Sequence, residues 1–229
     1  MLTPRRHRGV EHLDDPAIDP DLRERSLRDV RTANAVLGGA HAVLAEFGRI
    51  VSWLGMEATL LDVGTGLADI PARASVLAAR HEVRLTVFGV DEAASLLRAA
   101  APLLDGGICA DARRLPFADS SVDVVTCSQV LHHFEDAEIP LVLGEMNRVA
   151  RVAAIVSDLR RSWIAVGGFW LAAWPLRFHP VTRHDGAVSV LRGFSDAELA
   201  MHVLGSTGET PTVRRHLGFR LTATWRPSL

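Results

Sequence analysis

Two stretches constrain this chain more than any other part of it: VRLTVFGVD (83–91) and VDVVTCS (122–128) are nearly unbroken apolar runs. A strand wetted on one face alternates apolar and polar residues, whereas a strand apolar throughout is covered on both faces, as in a parallel sheet flanked by helices. The surrounding pattern agrees. Strands are expected at Thr59–Val63, Arg84–Val90, Gly107–Cys109, Val122–Ser128 and Val152–Asp158, with helices at Ile70–Arg80, Ala93–Ala101 and Ile139–Val149. Pro71 falls in the first turn of its helix, where a missing N–H costs nothing.

Ahead of this pulse, residues 21–54 carry apolar residues at helical spacing, split into two helices by Gly38-Gly39; residues 1–20 are polar and read as an arm or loosely packed lead-in. Behind it, an aromatic-rich segment runs to Arg192. A helix opens at Asp196 with Ser195 and Glu198 at capping-box spacing, and Thr212–Leu217 and Phe219–Trp225 form a closing strand pair at Gly218. The expected division is 1–54 as arm and helical cap, and 55–229 as a ligand-binding domain with an insertion at about 160–192.

Apolar residues make up 48% of the 229 positions and the net charge is −2, so the chain can bury a core and is not a disordered polyelectrolyte. All 25 basic residues are arginine, scattered without a stripe, which argues against a nucleic-acid partner. Cys109 and Cys127 stand far apart with no metal-ligand spacing; no metal and no disulfide are expected, and a reducing cytoplasm fits. The N-terminus lacks an apolar signal core, and the uncharged run at 162–176 is too short and too interrupted for a stable membrane span.

The ligand is suggested by LLDVGTGLADIPARA (60–74). Asp62 ends a strand, and Gly64 and Gly66 open the backbone of the following loop to close approach. Asp91 ends the next strand, where a carboxylate can accept both hydroxyls of a ribose; Asp111 follows the third strand and Asp158 the fifth. A phosphate site avoids such acids and brings lysine or backbone amides, and the Gly-Lys-Ser/Thr ending of a phosphate loop is absent. A ribose, a base and a positive charge near Asp62 describe the ligand better.

On these residues the span from about Leu54 to Ser157 resembles the class I S-adenosylmethionine-dependent methyltransferases, in the group with quinone C-methyltransferases and natural-product methyltransferases. LLDVGTGLADIP is similar to the first motif of that family, VFGVD to its ribose-binding acid, and CADARRLPFADSSVDVVTCSQVLHHFED to its third and fourth motifs. The resemblance implies a Rossmann-like, doubly wound, mostly parallel α/β sheet with a C-terminal antiparallel strand pair, N-terminal helices and a helical lid after strand five. It also implies that Asp62, Gly64, Thr65 and Gly66 line the methionine and ribose portion and that Asp91, with Glu92 beside it, holds the ribose. Asp111 and Ala112 would meet the adenine, and Ser128 and Gln129 would border the transferred methyl. A third glycine common in the first motif is replaced around Leu67-Ala68, for which slightly tighter packing is expected.

His133 and His132 are the catalytic candidates; placed on a helix, adjacent residues would not share a face, so at most one would enter the pocket. His179, His184 and Asp185 are further base candidates. The tryptophans at 163, 170 and 174 share a helical face and are expected to form a greasy lid, with the helices of 27–44 opposite. The expected partner is an apolar small molecule, such as a quinone, a phenolic polyketide or a lipid-like acceptor, and a homodimer is an option. Two rival functions stand beside this one: a nicotinamide-dependent oxidoreductase, disfavoured by the absence of a Tyr-x-x-x-Lys pair, and a non-catalytic binding protein on the same fold.

Overall fold

A computed structural model describes residues 3–7, 9–15 and 17–228; the remaining positions, Pro16 of the lead-in among them, lie outside the described residues. Strands β1 (Glu57–Val63), β2 (Arg84–Asp91), β3 (Gly106–Cys109), β4 (Val122–Ser128) and β5 (Ala150–Leu159) pair in parallel. Strands β6 (Thr212–His216) and β7 (Arg220–Trp225) close the sheet antiparallel, giving the order β3-β2-β1-β4-β5-β7-β6. The chain lays β2 and β3 on one side of β1, then crosses to β4 and β5 on the other. Ligands bind at the carboxyl ends of strands beside such a reversal.

The unbroken apolar runs are explained by what covers each face. Leu60, Val87, Val124 and Ile155 point at helices α2 (Gly39–Ile50) and α3 (Asp69–Ala79), packing on Phe47, Ile50, Ala74 and Ala78. Their neighbours Leu61, Val125 and Val156 point the other way, at α5 (Ile139–Val149) and α8 (Asp196–Thr207), packing on Val142, Leu143, Met146, Leu199 and Val203. With side chains alternating along a strand, both parities must be apolar when both faces are dry. The Ser195–Glu198 capping box opens α8 as the spacing predicts. Helix α4 (Ala94–Ala100) covers the β2–β3 edge, while α1 (Pro20–Val36), α6 (Trp163–Ala173) and α7 (Pro180–Arg192) gather above the strand ends.

Three local expectations are corrected. The lead-in is not loose: His7 N donates to Leu191 O, Arg192 Nε donates to Gly9 O, and both carboxylate oxygens of Asp185 accept from backbone, one from His12 N and one from Leu13 N. It is a strap laid across α7. His132 and His133 are not on the helix after β4; they sit in a 3₁₀ turn, Leu131–His133, and α5 begins only at Ile139. The three tryptophans share a face of α6, but that face is solvent-exposed, and Phe169 is the α6 residue that reaches the cavity described below.

The break between α1 and α2 packs on the closing hairpin. Gly38 (φ 84°) and Gly218 (φ 71°) both lie in the left-handed region, and a Cβ at Gly218 would stand 1.8 Å from the carbonyl oxygen of Leu37. Gly208, which ends α8 at φ 76°, faces no heavy atom within 4 Å at the same position. Alanine at Gly208 therefore carries left-handed strain alone, about 1–2 kcal/mol, whereas alanine at Gly218 adds a backbone collision. Urea unfolding should show Gly218→Ala the more destabilised of the two by at least about 1 kcal/mol; equal losses would mean that the α1–α2 break does not bear on the hairpin.

Candidate functional site

At the carboxyl ends of β1, β2 and β4 lies a cavity of about 790 Å³, in the upper part of the roughly 300–1,000 Å³ range of small-molecule sites. The end of β2 holds the loop after β1 in shape. Val90 O accepts from Gly64 N (2.8 Å) and Thr65 N (3.0 Å), and the Asp91 carboxylate accepts from Gly66 N (3.0 Å) and Ala93 N (2.9 Å). Each Asp91 oxygen thus carries one backbone bond and keeps capacity for another. Gly64 has φ 70°, and a Cβ there would lie 2.3 Å from Val130 Cγ2, so the loop excludes side chains at Gly64 through its own neighbour as well as through any ligand. At the position where a third glycine was expected, Ala68 adopts φ 55° and is fully buried.

Asp62 is 3% exposed and accepts from Thr126 Oγ1 at 2.6 Å. Burial, with Asp69 and Asp91 adding repulsion, pushes its carboxyl up to about 7, the Thr126 hydrogen bond notwithstanding. Asp69, raised by burial against the pull of Arg73 and Arg31, turns an unpartnered carboxylate oxygen into the same region. Two acids lodged here, neither of them in an ion pair among the described residues, make this half of the cavity receptive to positive charge.

The far half is built around β5 and the start of β7. His132 is buried; its Nδ1 faces Asp158 Oδ1 at 2.6 Å and its backbone N donates to Asp158 Oδ2. Burial opposes ionisation of Asp158, but the His132 ring and the Leu159 amide outweigh it and hold the carboxyl below the usual range. An ionised Asp158 requires the proton on Nδ1; Nε2 has no hydrogen-bond partner and lies 3.9 Å from Glu11 Oε1, and the residue lines the cavity. Arg220, also buried, donates from one terminal nitrogen to Gln129 Oε1 at 2.5 Å, while its Nε is unpartnered; burial brings its guanidinium down to about 10 although Asp158 pulls the other way. Gln129, in left-handed backbone (φ 57°), also donates to Asn34 on α1.

His133 is held differently. Its Nδ1 lies 2.9 Å from Asp14 Oδ1, and Arg192 bonds both Glu11 and Asp14 of the strap. Burial works against charge on His133, but Asp14 and Glu11 outweigh it and raise its pKa. The two histidine rings lie 4.3 Å apart and both residues line the cavity.

Of the residues expected to line a ligand site, Asp62, Gly64, Thr65, Gly66, Asp91, Glu92, Ala112, Ser128 and Gln129 share this one cavity. Asp111 does not. It is turned to Arg113, whose Nε bonds both its carboxylate oxygens and which also pairs with Glu138, so Arg113 faces the cavity in its place. His179 accepts from Val181 N at the start of α7 and His184 is exposed beside Asp185, so neither enters the cavity, whereas Asp185 lines it while anchoring the strap. Arg220, Glu11 and Asn34 were not legible: each is distant in sequence from the motifs and reaches the site only by folding. One general signal does mark the place. Among the described residues, ten buried side-chain polar atoms lack a partner, and five of them line this cavity: Thr65 Oγ1, Asp69 Oδ2, Ser128 Oγ, His132 Nε2 and Arg220 Nε. Such groups are rare in a folded interior and mark places that expect a ligand.

The sheet order and the loops at its strand ends are those of the Rossmann-like fold found in S-adenosylmethionine-dependent methyltransferases. Residues 61–156 match the family described as a methyltransferase domain. A curated relative, demethylmenaquinone methyltransferase of Roseiflexus sp. (strain RS-1), is 38% identical over 103 residues, which is 43% of this chain and 41% of the relative, so the chain matches about two-fifths of that protein's length. Among solved structures, an S-adenosylmethionine-dependent methyltransferase from Aquifex aeolicus superposes with a TM-score of 0.58 at 17% identity, covering 86% of this chain and 93% of its own. Magnesium protoporphyrin IX methyltransferase from Synechocystis PCC 6803, solved with S-adenosylmethionine bound, gives 0.57 at 13% identity, over 95% and 88%. At such identities these structures establish the fold.

The raised Asp62 carboxyl has a measurable consequence. The folded chain holds a proton there between about pH 4 and 7 that the unfolded chain has lost, so this group makes stability fall as pH rises through that window. Asp62→Asn should stabilise the ligand-free protein at pH 8, by on the order of 2–4 kcal/mol, and make little difference at pH 4. Urea unfolding at the two pH values checks this, and a variant no more stable than its parent at pH 8 would return Asp62 to the ordinary carboxylate range.

Proposed function

We propose that this chain transfers a methyl group from S-adenosylmethionine to an apolar small molecule bearing an acidic hydroxyl or acidic carbon, a quinol or phenol being the favoured class. The observation that carries the reading is the division of the unpartnered groups: carboxylate and hydroxyl oxygens toward β1 and β4, a histidine nitrogen and an arginine nitrogen toward β5 and β7. The residues present fit the cofactor. Asp62 and Asp69 suit its positive charge, Asp91 its ribose hydroxyls, Thr65 and Ser128 its polar end, and Ala112 and Leu96 the flat face of its base. When bound, S-adenosylmethionine supplies an electrophilic methyl on a sulfonium.

What remains is binding, orientation and proton handling by the chain itself. His132 Nε2 is the general base, with its tautomer and ring fixed by Asp158. Arg220 faces the anion that forms on the acceptor when the proton leaves, and a buried guanidinium with spare donors attracts such an oxygen strongly. Leu27 and Val30 of α1, Phe169 of α6 and Val190 of α7 provide apolar walls that exclude water. His133 orders the strap through Asp14 and is not asked to move a proton. The Roseiflexus relative, by name a demethylmenaquinone methyltransferase, supports a quinol-type acceptor.

Calorimetric titration with S-adenosylhomocysteine should saturate, and Asp91→Ala should weaken it by about 1–3 kcal/mol through lost charge-assisted bonds; unchanged affinity would remove Asp91 from the site. NADH binding without S-adenosylhomocysteine binding would overturn the class of reaction. With a quinol or phenol acceptor, His132→Ala should lower kcat by about 10²–10⁴, abolish the acidic limb of the pH–rate profile and leave S-adenosylhomocysteine affinity intact. A variant that keeps both turnover and that limb would exclude His132 as the base.

A further inference from the structure

Helix α6 carries a face that none of the described residues covers. Trp163 (55% exposed), Ile164, Trp170, Leu171 (79% exposed) and Trp174 all stand open to solvent, while Ala165, Ala173 and Phe169 turn inward. Gly167 and Gly168 lie between them on the exposed side and leave that surface smooth. From Trp163 to Leu176 the only side-chain hydrogen-bonding groups are the three indole N–H groups. A protein partner of ordinary kind would form about one hydrogen bond per 100–200 Å² of interface, and this face has little to form them with. A bilayer asks for the reverse: aliphatic tips to enter the acyl boundary and indoles to rest among head groups.

The charges around the face agree. Between Asp158 and Asp185 the chain holds four arginines and neither Asp nor Glu. Arg161 is buried against Glu198 and Arg160 stacks on Phe219, but Arg177 is exposed and Arg183 lies over the Trp174 ring at 4.4 Å, at the edge of the apolar surface. Cations beside exposed tryptophans match an anionic lipid surface. Among the described residues no helix is long and apolar enough to cross a membrane, so the contact is peripheral.

We infer that the exposed face of α6 docks this protein onto the surface of an anionic lipid bilayer, with Trp163, Trp170, Leu171 and Trp174 inserted at the head-group boundary and Arg177 and Arg183 facing the lipid charge. Phe169, on the opposite side of α6, lines the cavity, so docking sets a wall of the site against the bilayer. The inference stands on α6 and the arginines beside it and holds whatever reaction the cavity performs.

The full-length protein is incubated with sucrose-loaded vesicles of phosphatidylcholine, with and without phosphatidylglycerol, and sedimented. Expected are sedimentation with the anionic vesicles, a blue shift of tryptophan emission, quenching by brominated lipid, and weakening by salt. Leu171→Glu together with Trp174→Glu should lower partitioning at least about tenfold, the loss expected from removing two apolar anchors, while circular dichroism and S-adenosylhomocysteine binding stay unchanged. Arg177→Gln should weaken binding to the anionic vesicles only. Parent protein that remains in the supernatant with anionic vesicles overturns the inference, as does unaltered vesicle binding by the double variant. Self-association in sedimentation velocity that Leu171→Glu abolishes, without vesicle binding, would assign the face to a second copy instead.

Discussion

Four backbone N–H groups accepted at the end of β2 hold this site together. Val90 O takes those of Gly64 and Thr65, and Asp91 takes those of Gly66 and Ala93. The first three join the loop after β1 to the end of β2, so the glycine turn is held open by its neighbour strand as well as by its own residues. They are possible only because β1 and β2 run parallel with Val63 beside Val90, which the reversal of strand order at β1 in turn places next to β4 and its histidines. Backbone donors held in this way leave the Asp91 carboxylate oriented before any ligand arrives, which lowers the ordering cost of binding.

The two halves of the cavity are electrically unlike. Around β1, Asp62 and Asp69 are acids whose burial raises their pKa, an arrangement unfavourable to the empty fold and favourable to a cation. Around β5 and β7, Asp158 is ionised between the His132 ring and the buried Arg220, and the unsatisfied atoms of the residues lining the cavity there are nitrogens. Like-for-like burial of charge would destabilise either half; the separation keeps the buried acids of one half apart from the buried guanidinium of the other.

Much of this was readable along the chain because it depends on near neighbours. The double parity of apolar residues in β2 and β4, the Ser195–Glu198 box and the Gly38-Gly39 break each report local geometry, and each stands where the pattern put it. The glycine loop and Asp91 were likewise legible, since strand-end loops of a parallel sheet converge by topology. Asp111 was misplaced because Arg113, two residues away, competes for its carboxylate more effectively than the cavity does. The α6 tryptophans were rightly set on one face, but periodicity states that a face exists without stating which way it turns.

Sequence alone therefore determined the layered sheet, the order of its loops and which strand-end residues share the first half of the cavity, because hydrophobic periodicity and turn residues act over a few positions. Tertiary structure decided the second half. Arg220 from the last strand, Asn34 from the first helix and Glu11 from the strap meet His132 across separations that no local pattern records. Which carboxylate each histidine's Nδ1 meets, Asp158 for His132 and Asp14 for His133, depended on what the packed chain brought within bonding distance.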